Sequence, residues 1–119
     1  MVRCAPNRLV RVLAVLALCA TAACASPTLP LPPPTVPAIA PASVAGKVHL
    51  TSTRGAEPNA IIVIYNQNPS VARDQRVSGT QADGVGTWEA DVVAARGDLL
   101  QISQEFGTSR SAPIAVQVP

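Results

Sequence analysis

Asp83-Gly84-Val85-Gly86-Thr87-Trp88-Glu89-Ala90-Asp91-Val92 is the stretch from which the fold can be read. It opens with turn chemistry: a short carboxylate able to bond its own backbone, followed by two closely spaced glycines. The rest alternates, with Trp88, Ala90 and Val92 on one side and Thr87, Glu89 and Asp91 on the other. A period of two marks a half-buried strand, because successive strand side chains point to opposite faces. Outward from here the same two signals recur. Residues 60–65 (Ala-Ile-Ile-Val-Ile-Tyr) are apolar on both faces, which predicts a central strand. Val44, Gly46, Val48 and Leu50 alternate with polar or small neighbours and predict a strand over residues 43–51. Leu100 and Ile102 point inward after a Gly97-Asp98 turn, residues 107–110 form a hairpin, and Ile114, Val116 and Val118 close the domain.

Between these lie a turn at residues 54–59, a longer polar loop at residues 66–74, and a weaker strand at residues 75–81 around Val77, expected at a sheet edge. No long 3.6-residue apolar period and no internal repeat appears. Short strands between turn clusters define an all-β class, here a small β-sandwich of about 6–7 strands over residues 43–119. A chain of this size buries little core, so Trp88, the only tryptophan, is expected at its centre.

Upstream the composition changes twice. Residues 25–42 hold Pro27, Pro30, Pro32, Pro33, Pro34, Pro37 and Pro41. Proline fixes φ and donates no N–H, which excludes a helix or a central strand. The expectation is a polyproline II spacer of roughly 50–60 Å. Before it, Arg3, Arg8 and Arg11 precede an apolar run that ends in Thr21-Ala22-Ala23-Cys24. Basic, apolar, then small residues is the order of a cleaved signal peptide. At about 24 Å of helix, with Arg11 inside it, residues 9–24 are short for a bilayer span. The expected division is signal peptide 1–23, Cys24 with the linker to 42, and a β-domain from 43 to 119.

Thr21-Ala22-Ala23-Cys24 resembles the lipobox of bacterial lipoproteins, with Thr21 in place of the usual leucine. The resemblance implies diacylglycerol on the Cys24 sulfur, cleavage before Cys24, and often a further acyl chain on the new amine. Two or three chains give a stable anchor where one does not. Ala25 is not the aspartate that retains many lipoproteins at the inner membrane, so the outer membrane is implied.

Residues 82–90, Gly97-Asp98-Leu99-Leu100-Gln101-Ile102 and Ser111-Ala112-Pro113-Ile114-Ala115-Val116-Gln117-Val118 resemble bacterial Ig-like and carboxypeptidase-regulatory-like (prealbumin-like) modules. Gly46-Lys47-Val48 and Glu57-Pro58-Asn59-Ala60 fit the opening of the same family. The resemblance implies a sandwich that serves as a spacer, adhesin unit, or protein- or carbohydrate-binding domain.

Beyond Cys24 the chain carries six basic and seven acidic residues, a net charge of −1. Phosphate backbones need a basic stripe, so nucleic acid is not an expected partner. Cys4 and Cys19 leave with the signal and Cys24 is consumed by lipid, so no disulfide or thiolate metal site is expected. His49 is the only histidine, and no nucleophile elbow, triad or zinc set is present. The expectation is therefore no enzyme activity and no cofactor. Asp83 and Asp98 occupy turns and are the weak candidates for Ca²⁺, a cation that wants six to eight oxygens. For binding, the candidates are the loop residues Asn66, Asn68, Arg73 and Asp74, and the strand at residues 75–81 if its edge is open to a partner strand. The expected partners are a membrane, through the lipid, and an envelope protein. The alternative is a surface-displayed ligand- or carbohydrate-binding module.

Overall fold

A computed structural model describes residues 29–119. The expected signal peptide, the lipobox-like stretch and Cys24 lie outside the described residues. Eight strands follow in order: β1 (Ala38–Pro41), β2 (Lys47–Ser52), β3 (Ile61–Asn66), β4 (Val77–Gln81), β5 (Trp88–Val93), β6 (Leu99–Phe106), β7 (Ser109–Arg110) and β8 (Ile114–Gln117). A single 3₁₀ turn, Arg73–Gln75, precedes β4. The first sheet has the order β1-β2-β5. The second has the order β4-β3-β6, with β7 and β8 both pairing β6. All pairs are antiparallel, and the two sheets make a small all-β sandwich.

The inward faces follow the period of two. Val48, Leu50, Trp88 and Val92 from the first sheet meet Ile62, Ile64, Leu100, Ile102 and Val116 from the second. Leu50, Ile62, Ile64, Leu100 and Ile102 are fully buried, each worth about 1.5–3 kcal/mol against exposure. Trp88 is 2% exposed and sits in this core, as expected. Its indole N–H has no acceptor among the described residues. β3 lies between β4 and β6, the central place its two apolar faces predicted.

Three expectations are corrected. The strand predicted from residue 43 starts at Lys47. Gly46 has φ +80° and Lys47 N–H donates to Val44 O at 3.3 Å, so residues 43–46 turn the chain and Val44 is exposed. The alternation of valines continued through a turn that the left-handed glycine enforces. Among the described residues there are eight strands where about six or seven were expected: β1 was not foreseen, and β7 is a two-residue return arm of the hairpin expected at residues 107–110.

The third correction concerns the linker, expected to run to 42. β1 lies inside it and pairs with β2, Ile39 opposite Leu50. Upstream of β1 the proline segment also packs on the sandwich. Pro34 and Pro37 are buried. Thr35 N–H donates to Gly55 O at 2.8 Å, and Gln104 Nε2 donates to Pro32 O at 2.6 Å. Gln104 is buried, and its Oε1 accepts Glu57 N–H at 2.7 Å. A neutral amide with both ends satisfied thus clamps the chain onto the sheet at Pro32. The domain begins there, not at 43.

Candidate functional site

The residues singled out by sequence fall at both ends of the sandwich. At one end, Asp98 is buried between β5 and β6. Its Oδ2 accepts Asn66 Nδ2 at 3.0 Å and Ala95 N–H at 2.9 Å, and its Oδ1 accepts Asn68 Nδ2 at 2.8 Å. Asn66 Nδ2 also reaches Val93 O at 2.9 Å. β3 and β5 belong to different sheets, so this network ties the sheets together. The Asn66 amide, with the Ala95 N–H and the Asn68 amide, holds the Asp98 carboxyl below its ordinary value against the opposing effect of burial.

The loop beyond Asn66 is knit by the same residues. Asn66 Oδ1 accepts Asn68 N–H and Asn68 Oδ1 accepts Ser70 N–H, both at 2.9 Å. The Arg76 guanidinium donates to Val71 O and Pro69 O, both at 2.7 Å. Of the four predicted binding residues, the structure joins Asn66 and Asn68 to Asp98. Arg73 and Asp74 stay apart in the exposed 3₁₀ turn. The amides are occupied in shaping the loop.

At the other end, Asp83 Oδ1 accepts Val85 N–H at 3.0 Å and Thr87 N–H at 2.9 Å. These bonds, Thr87 first, lower its pKa. Asp83 and Asp98 stand beyond opposite ends of β5 and share no site. Among the described residues, no group of three or more His, Asp, Glu or Cys side chains is placed to hold a metal ion. On the outer face of the first sheet, His49 Nδ1 lies 2.5 Å from Asp91 Oδ1, and Nε2 lies 3.6 Å from Glu89 Oε2. Both ring nitrogens face carboxylates of the neighbouring strand, an arrangement that sequence reasoning missed. Strand register alone brings them together, His49 opposite Asp91.

The sheet edges distinguish one strand from the rest. In an antiparallel pair, directly opposed residues alternately exchange both backbone bonds or neither. Ala82 N–H donates to Ala60 O, and Asn66 N–H to Arg76 O, each pair directly opposed. The even residues of β4 therefore bond β3, and Val77, Gly79 and Gln81 turn their N–H and C=O outward. The same logic applied to Ala42 N–H on Lys47 O leaves Pro37, Ile39 and Pro41 on the outer side of β1. Two of those three have no N–H to offer. Ala94 N–H on Gly46 O leaves Glu89, Asp91 and Val93 outward on β5, where two are charged and Val93 O is capped by Asn66. Val118 N–H on Asp98 O leaves Ala115 and Gln117 outward on β8, bracketed by Pro113 and Pro119.

Prolines, charges and short length are the usual protections of an exposed edge. β4, Val-Ser-Gly-Thr-Gln, has neither proline nor charge. The strand predicted as an edge is one, and among the described residues its outward backbone groups have no partner. Beside it, the outer face of the second sheet presents Ile61 (50% exposed), Tyr65 (37%) and Val77 (57%). Tyr65 stands opposite Val77 in the register.

No protein-family model matches the chain, and no curated protein and no solved structure matches it.

Proposed function

We propose that this is a lipid-anchored protein of the cell envelope, held through Cys24 at the outer membrane, whose sandwich is a non-enzymatic structural or protein-interaction module. The observation that carries the interaction reading is β4. It is an uncharged, proline-free edge flanked by an apolar strip, while β1, β5 and β8 each carry a protection. A free edge offers backbone bonds for affinity and alternate side chains for choice of partner. The anchor reading rests on the order of Arg11, the apolar run and Thr21-Ala22-Ala23-Cys24.

A second reading, a ligand-binding module, is favoured by one feature. A cleft of about 490 Å³ beside Trp88 is lined by Thr51, Ser52, Thr80, Gln81, Asp83 and Glu89. Its hydroxyls, amide and carboxylates suit a small polyhydroxylated ligand, but the one tryptophan there is buried and offers no stacking platform.

Two measurements test the proposal. Intact-mass analysis of the N-terminal peptide from detergent-extracted envelopes is expected to find an acyl adduct on Cys24; a free N-terminus at Cys24 or beyond rejects the anchor. A photoreactive residue at Val77 in envelopes is expected to cross-link to protein, and one at Gln117 on β8 is not. Equal labelling at both, or none, rejects β4 as the interacting edge.

A further inference from the structure

We infer that the occupant of the β4 edge is a second copy of this chain, two β4 strands pairing antiparallel about a two-fold axis at Gly79. The inference rests on the reading of the domain as an interaction module and names its partner. Strand register favours a symmetric partner. Val77, Gly79 and Gln81 turn their backbone groups outward, and Gly79 is the middle of the three. With the axis on Gly79, Val77 faces Gln81 of the second copy, Gly79 faces Gly79, and Gln81 faces Val77. Each of those is a pair of the kind that exchanges both N–H···O bonds. Every outward donor and acceptor of β4 is then satisfied by its symmetry equivalent, with none left over.

Side chains and charge agree with the same axis. A two-fold contact sets each residue against its own copy or its mirror position, so a charge at the centre meets itself; the centre here is a glycine. Arg73, Asp74 and Arg76 precede β4 with a net positive charge, and Asp83 follows it. Antiparallel pairing lays the basic end of one strand beside the acidic end of the other. On the outer face, Val77 of one copy sits across from Gln81 of the next, whose own neighbour on β3 is Ile61. The apolar strips of the two copies therefore meet across the seam, and the two second sheets become one continuous sheet.

The experiment is the solution mass of the full chain, extracted in detergent, by light scattering or sedimentation equilibrium over a wide concentration range. The parent is expected at twice the chain mass. Gly79→Lys places two ammonium groups on the axis. It is expected to halve the mass without loss of the folded spectrum, since a Cβ at Gly79 meets nothing closer than Ile62 O at 3.7 Å. Gly79→Pro removes an N–H that bonds no neighbour in the monomer and is expected to do the same. Gln117→Lys on the β8 edge should leave the dimer intact. A monomeric parent, a dimer that survives Gly79→Lys, or a dimer dissolved by Gln117→Lys overturns the inference. A monomeric parent whose Val77 photoprobe still cross-links to a different envelope protein overturns self-pairing alone. A monomeric parent with no cross-link overturns the interaction reading as well.

Discussion

At one end of the sandwich Asp98 gathers Asn66, Asn68 and the Ala95 N–H around a buried negative charge. At the other end the closure is neutral and made of close approach. Gly86, at φ +83°, lies so close to Ala56 that a Cβ would fall 2.0 Å from its carbonyl oxygen. Gly55 lies against Ser52 and Thr35, and the Gln104 amide bridges Glu57 and Pro32. Asp83 is charged, but it faces solvent and organises only its own turn. Both ends join the two sheets. One depends on protonation state and the other on the absence of a methyl group, so each is open to a perturbation that spares its opposite.

The largest effect is expected from Gly86→Ala. The new Cβ meets backbone that cannot swing away, and the left-handed φ adds its own strain. A loss of about 3 kcal/mol or more, read by chemical denaturation, is the expected outcome, at the upper end of ordinary single substitutions. A loss below about 1 kcal/mol would mean the neutral end is loose, and the contrast would collapse.

Next comes the charged end. Asp98→Ala leaves the buried Asn66 amide short of an acceptor and is expected to cost about 2–3 kcal/mol; Asp83→Ala, on an exposed turn, is expected to cost less. Both carboxyls are held below their unfolded values. Their contribution is therefore present above about pH 4 and fades as pH falls through the folded values. Asp98→Asn should flatten the acid limb of the stability curve more than Asp83→Asn does. Equal flattening would place the acid sensitivity at the wrong end.

Gln104→Ala sharpens the comparison most finely. It removes two neutral hydrogen bonds, each worth about 1 kcal/mol. Its clearest readout is local: faster proteolysis within residues 29–37 while the cooperative transition of the sandwich persists. Unchanged cleavage would show that Pro34 and Pro37 hold the segment without the amide.

Strand positions were legible because burial on one face writes a period of two into residues 87–92 and 99–102, and apolar character on both faces marks residues 60–65. β1 was hidden by composition, since seven prolines in residues 25–42 read as a spacer. Its signal was spacing. Pro37 and Pro41 stand four apart, so both ring nitrogens face away from β2 and no ladder bond is lost. The turn at Gly46 was hidden in the opposite way, by an alternation that ran on past the strand. The Asp98 network joins side chains about thirty residues apart in sequence, and no local pattern encodes it. The edge character of β4 was visible in its weak, uncharged sequence. Its standing as the unprotected edge emerged only once the outward residues of β1, β5 and β8 were known.

The Gln104 clamp also shortens the leash. With the chain docked from Pro32, residues 25–31 alone separate the domain from Cys24. Fully extended, that span reaches about 28 Å, half of what a free run to residue 42 would allow. If Cys24 carries lipid, the sandwich is confined to a thin layer over the bilayer, and encounters between copies become a two-dimensional search. Confinement to that layer raises the local concentration of copies above that of the freely diffusing domain. The β4 pairing that holds in solution is then strengthened further at the membrane, and severing the clamp weakens that gain without touching β4.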